Sequence, residues 1–149
     1  FKMNPPLRAR EDMEALRKGV ADGTIDVIAT DHAPHSAEEK SRGLQKSAMG
    51  VVGIETSLAA IYTFMVASHF ITLERLVEIM SVTPRRLLGL GDGIKRGEVI
   101  DATLVDFGSE FTVDPADFLS KGKSTPLEGM RLRGEVLMTI AKGKIAYEK

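Results

Sequence analysis

The sequence predicts an α/β chain in two parts. An amphipathic helical pattern over Arg10–Asp22 runs into one short β-branched segment, Ile25–Thr30. Further helical segments follow, up to about Leu88. Beyond Gly89-Leu90-Gly91 the pattern changes to short strands that close in a hairpin at Lys142-Gly143-Lys144. The boundary falls near Gly89–Gly97 and separates residues 1–90 from residues 91–149.

Each element has a local cause. Asn4-Pro5-Pro6 is loop, because each proline removes a backbone donor and restricts the residue before it. Glu11, Asp12 and Glu14 sit in the first turns of the Arg10–Asp22 helix, Met13, Leu16 and Val20 share a face, and Gly23 stops it. Ile25–Thr30 reads as a strand buried on both faces, and Pro34 ends it in a loop. Ser36–Ser47 is polar, charged and without period, which predicts a mobile loop over a site. Helices are expected over Ile54–Val66, over Leu73–Met80 behind a Thr72 cap, and from Thr83 with Pro84 at its first position. Ala102–Phe107 and Leu132–Ala141 have strand character, and Ile145-Ala146-Tyr147 returns from the turn.

Composition narrows the function classes. The chain has 149 residues, 43% hydrophobic and 28% charged, with a net charge of -1. That balance gives no electrostatic reason to expect nucleic acid or an anionic membrane. No apolar run approaches a transmembrane span, and nothing reads as a secretory signal. Cysteine is absent, which fits a reducing, cytoplasmic setting and leaves His, Asp and Glu as the available metal ligands. The opening Phe1-Lys2-Met3-Asn4 looks like a cut through a longer polypeptide.

The densest chemistry is Asp31-His32-Ala33-Pro34-His35, directly after the Ile25–Thr30 run. Ligands gather at the C-terminal ends of parallel strands, where a carboxylate can bind metal or move protons. Asp31 could equally cap a turn, with both histidines as ordinary polar loop residues, and spacing alone does not separate these readings. Asn4 before Pro5 is a common turn former. Arg8 is either an anion ligand or a solvated residue ahead of a helix. Gly50 and Gly53 allow close backbone approach or simply shape the entry to the next helix. His69 suits a helix C-terminus and carries no catalytic role.

Asn4-Pro5-Pro6-Leu7-Arg8, the run Asp22–His35, Glu38-Glu39-Lys40, Gly50–Thr56, Thr83-Pro84, Ser124-Thr125-Pro126 and the Gly134–Tyr147 segment together resemble class I dihydroorotases, in order and from end to end. The Asp-His-Ala-Pro-His box is shared by other cyclic amidohydrolases, and Asn-Pro-Pro-Leu-Arg with it is more specific. The resemblance implies the C-terminal part of a TIM-barrel amidohydrolase with strands of a small β-sandwich domain. It also implies a binuclear zinc centre and reversible hydrolysis of dihydroorotate to carbamoyl aspartate in pyrimidine biosynthesis. Asp31 resembles the aspartate that is both metal ligand and general acid/base. His35 and Asn4 resemble residues that hold the substrate. Met49 and Gly50 fall where the family contacts substrate through backbone, with Met49 departing from the usual Phe.

The resemblance leaves the other zinc ligands upstream of Phe1, in a missing N-terminal part of the parent. Zinc needs roughly three or more protein ligands, so the chain alone is expected to be inactive and without tight zinc. Partners implied are the small-molecule substrate, that missing part, and a homo-oligomer or transcarbamoylase. Three other readings stand beside this one. They are another cyclic amidohydrolase (dihydropyrimidinase, hydantoinase or allantoinase), a non-catalytic dihydroorotase-like subunit, and a small binding module.

Overall fold

A computed structural model describes residues 2–91 and 93–149. Phe1, where the opening stretch begins, and Asp92, inside the boundary Gly89–Gly97, lie outside the described residues. Apart from a 3-10 turn over Pro115–Asp117, the helices of the described part end by Leu87, and its strands begin at Ala102.

Helix α1 (Arg10–Asp22) has the predicted limits. Gly23 ends it in the left-handed conformation at φ 88, which a residue without Cβ reaches cheaply. Of the predicted apolar face, Val20 is buried, whereas Met13 is 42% and Leu16 61% exposed. Only the C-terminal end of α1 therefore meets the core. There the Arg75 guanidinium donates to the Val20 carbonyl (3.1 Å) and to that of Ile25 (2.7 Å), satisfying a helix-end acceptor and fixing the chain's exit.

Ile25–Thr30 departs from expectation. It is extended but belongs to no ladder, and Asp26, Ala29 and Thr30 are exposed. Its amides find isolated partners instead: Ile25 N–H donates to Gly19 O (2.9 Å) and Ile28 N–H to Ile79 O (3.2 Å). β-branched residues make the backbone extend, but a strand needs an adjacent strand, and none is present among the described residues. The barrel thus remains an expectation from resemblance.

Ser36–Ser47 also differs. It folds as two single-turn helices, α2 (Ala37–Lys40) and α3 (Gly43–Lys46). Ser36 and Glu39 form a reciprocal capping box, satisfying two orphan donors at once.

Helix α4 (Ser57–Ile61) begins after Ile54 and widens into a π turn over Tyr62–Val66. His69 follows at φ 63, closing the helix in the left-handed region. Helix α5 (Leu73–Val77) starts at Thr72, whose hydroxyl accepts from Arg75 N–H (3.2 Å). A π turn over Glu78–Val82 then leads into α6 (Thr83–Leu87) without a break, so Thr83 caps nothing. Pro84 lacks an N–H and crowds the carbonyl four residues back, and the wide turn ahead of it relieves that crowding.

Strands β1 (Ala102–Thr112), β2 (Arg131–Ala141) and β3 (Lys144–Glu148) form one antiparallel sheet in the order β1-β2-β3. The β2–β3 hairpin is the predicted one. Lys142 (φ 51) and Gly143 (φ 72) form a two-residue loop, the left-handed pair that matches strand twist. β1 runs longer than expected and is irregular between Asp106 and Glu110. There Phe107 leaves the ladder and packs on Tyr62, ring centroids 4.4 Å apart.

Two apolar clusters result. Val20, Met65, Ile71, Leu76 and Ile79 join the helices, and Ala59, Val113 and Leu132 join α4 to the sheet. The α4 segment contributes to both, so the sheet sits against the helices. No helix among the described residues is long and apolar enough to cross a membrane.

Candidate functional site

The chain turns sharply at Asp31, which adopts φ 43. Non-glycine residues rarely occupy this region, and Asp is among the few that tolerate it. The turn carries the Asp31–His35 box onto the Gly50–Gly53 segment. Ala33 N–H donates to Val51 O (3.0 Å), and His35 Nε2 donates to Met49 O (2.9 Å). On this face the turn and the backbone of Met49–Gly50 are in contact. The His35 proton is on Nε2 because its partner is a carbonyl. Nδ1 lies 3.8 Å from the Glu39 carboxylate.

Gly50 makes this approach possible. Its φ is 129, and a Cβ there would lie 2.5 Å from Ala33 Cβ and 2.9 Å from Ala33 O. Asn4 lies at a cis Asn4–Pro5 bond, two residues after Lys2. Lys2 O accepts from Gly50 N–H (3.0 Å), which links the Asn4 segment to the same loop. Asp31, His35, Met49 and Gly50 are thus gathered around one turn, with Asn4 tethered beside it. Among the described residues no hydrogen bond or ion pair engages the Asp31 carboxylate or the Arg8 guanidinium, and both residues are exposed.

His32 plays a different part. Its Nδ1 accepts from Gly53 N–H (3.2 Å) and Ile54 N–H (3.3 Å), which occupies the lone pair a metal would need. Nε2 must then carry the proton, directed to Ser120 Oγ at 3.5 Å. Ser120 Oγ donates onward to Glu55 Oε1 (2.5 Å), so this serine is a relay and not an activated nucleophile.

Sequence reasoning missed the segment that backs the turn. Glu55 also accepts from Leu119 N–H (2.6 Å) and Ser120 N–H (3.1 Å), and Val52 N–H donates to Ser124 O (2.9 Å). Gly122 presses on the box, since a Cβ there would sit 2.8 Å from His35 N. The resemblance at Ser124-Thr125-Pro126 was the signal that lay nearest this segment, and Thr125 is buried. Burial pushes the Glu55 carboxyl up, but the Ser120 hydroxyl, the two amides and nearby Lys123 outweigh it and leave it below the ordinary 4.5.

A depressed carboxylate contributes stability that is present above its unfolded pKa and lost as pH falls through the folded one. Glu55→Gln is therefore expected to cost about 1 kcal/mol at pH 7, a value discounted for exposure, with the difference shrinking below the ordinary 4.5. Denaturant titrations at pH 7 and pH 3 measure it, and an equal difference at both would rule out the charge.

The described residues contain no group of three or more His, Asp or Glu able to hold a metal. Asp31 alone does not fit a zinc centre, so these residues do not build one unaided.

Residues 4–146 match the amidohydrolase family. The chain belongs to that family. Across its whole length this amidohydrolase chain is 49% identical to dihydroorotases of Bacillus cytotoxicus and Bacillus anthracis. It spans 35% of the length of those relatives. Among solved structures it resembles the L-hydantoinase of Arthrobacter aurescens, with TM-score 0.90, 32% identity, and coverage of 99% of this chain and 34% of that one. A D-hydantoinase from Thermus sp. superposes with TM-score 0.89 at 25% identity, again over 99% of this chain and 34% of that one.

Proposed function

We propose that this amidohydrolase chain is part of a dihydroorotase, acting on the cyclic amide of dihydroorotate and, in reverse, on carbamoyl aspartate in pyrimidine biosynthesis. The observation that carries the reading is the 49% identity over the entire chain to dihydroorotases, against 32% to the L-hydantoinase. The geometry agrees with it, because the family-like positions Asp31, His35, Met49 and Gly50 lie at one turn.

In this reading Asp31 accepts a proton from the water that adds to the ring carbonyl. It returns the proton to the ring nitrogen as the carbon–nitrogen bond breaks. His35 and Asn4 hold the substrate's carboxylate and ring, with backbone of Met49 and Gly50 beside them. Zinc belongs to the longer protein, where Asp31 would be one ligand and the rest would come from residues outside this chain. We further read residues 1–90 as closing segments of a barrel, residues 91–149 as sandwich strands, and the protein as cytoplasmic, with a homo-oligomer or a transcarbamoylase as macromolecular partner.

The deciding assay offers dihydroorotate and hydantoin to the full-length, metal-loaded protein. Turnover of dihydroorotate is expected, and turnover of hydantoin alone would replace this reading with the hydantoinase one. His35→Asn is expected to raise KM with zinc content unchanged. Loss of zinc in that variant, measured by metal analysis, would instead make His35 a ligand.

A further inference from the structure

Lys40 ends α2 and points its half-buried ammonium at three backbone carbonyls: Gly50 O (2.8 Å), Ala48 O (3.0 Å) and Lys2 O (3.2 Å). An ammonium has three protons, and all are used. No carboxylate pairs with it among the described residues. Its charge is instead compensated by peptide dipoles, an arrangement that depends on those carbonyls converging.

The converging carbonyls belong to the two segments that carry the proposed substrate contacts. Ala48, Met49 and Gly50 are consecutive, and their carbonyls accept in turn from Lys40, His35 and Lys40. Lys2 O accepts from both Lys40 and Gly50 N–H, two residues before Asn4. The base of the clamp is itself fixed, since Ser47 Oγ donates to Lys40 O (2.8 Å) and Ala48 N–H to Glu39 O (3.1 Å).

We propose that Lys40 is a positioning residue for substrate: its ammonium clamps the Met49–Gly50 backbone to the Asn4 segment and so sets the width of the substrate-binding edge beside Asp31. The activity arm of this proposal rests on the dihydroorotase reading. Charge-assisted bonds are the strong ones, and three of them on one side chain leave the loop little freedom to open. Removing the ammonium would leave Gly50 O and Ala48 O without their donor and let the loop drift from Asn4.

The test uses Lys40→Met and Lys40→Arg in the full-length, metal-loaded protein. Lys40→Met is expected to lower kcat/KM on dihydroorotate by about 100-fold, the order that a misplacement of about 1 Å costs, chiefly through KM. Zinc content is expected to match wild type. Deuterium exchange of the peptide spanning residues 47–51 is expected to quicken by about tenfold. Lys40→Arg, which keeps charge and several donors, is expected to recover part of both, and it carries the comparison if Lys40→Met does not fold. Unchanged KM, whether or not thermal stability falls, overturns the positioning role. Unchanged exchange overturns the clamp. If wild type does not turn over dihydroorotate, the functional reading fails and the positioning role with it, while the exchange arm still judges the clamp.

Discussion

Asp31→Asn in the full-length protein is expected to lower kcat on dihydroorotate by about 10³-fold, within the usual range for a general acid/base, with little change in thermal stability. Asn is the informative substitution because of the backbone. Asp31 sits at φ 43, and Asn tolerates that region as Asp does. Asp31→Ala adds about 1 kcal/mol of conformational strain and so mixes two effects. With Asn the turn that presents His35 to Met49 O survives, while the ability to take and return a proton is lost and the proposed zinc ligand is weakened, so zinc content is measured beside the rate. Steady-state kinetics beside a thermal melt make the comparison. Wild-type turnover in Asp31→Asn would remove Asp31 from the mechanism.

Gly50→Ala is expected to be the most damaging small substitution in the loop. The added carbon would lie 2.5 Å from Ala33 Cβ and 2.9 Å from Ala33 O. Neither can rotate away, since one is a first side-chain carbon and the other backbone. The Met49–Val51 strip must move off the turn, breaking the Ala33–Val51 bond and the contact of His35 with Met49 O. Overpacking of this kind costs about 1–3 kcal/mol, and displacement of the site about 100-fold in kcat/KM. Gly43→Ala separates crowding from backbone strain. Gly43 has φ 74 but nothing within 4 Å of its Cβ position, so it is expected to lose stability modestly and keep kcat/KM. Equal effects of the two substitutions, by melt and by kinetics, would show that crowding against Ala33 is not what matters.

The elements that were legible in the sequence are those with local causes. The α1 limits follow from early acidic residues and Gly23, and the β2–β3 hairpin from a turn that two left-handed residues can make. The capping box Ser36-Ala37-Glu38-Glu39 was equally local, but polarity without period masked it and the segment read as a loop. Thr83-Pro84 misled for the opposite reason. The pair has the chemistry of a helix start, yet the preceding turn was already helical, so a π widening accommodated the proline.

By itself the sequence determined which residues are candidates. Asp31, His35, Asn4 and Gly50 resemble the family pattern, Met49 departs from it at a matching position, and the β-branched run Ile25–Thr30 makes the chain extend before Asp31. Tertiary structure alone decided how they are held. Lys40 gathers three carbonyls, Glu55 receives Leu119 and Ser120 from more than sixty positions away, and Gly122 lies against His35. Such contacts leave no periodicity, because a hydrogen bond or a close approach depends on position in space and not on separation along the chain. For the same reason Ile25–Thr30 is extended without being a strand here: conformation is local, whereas a ladder requires a second strand beside it.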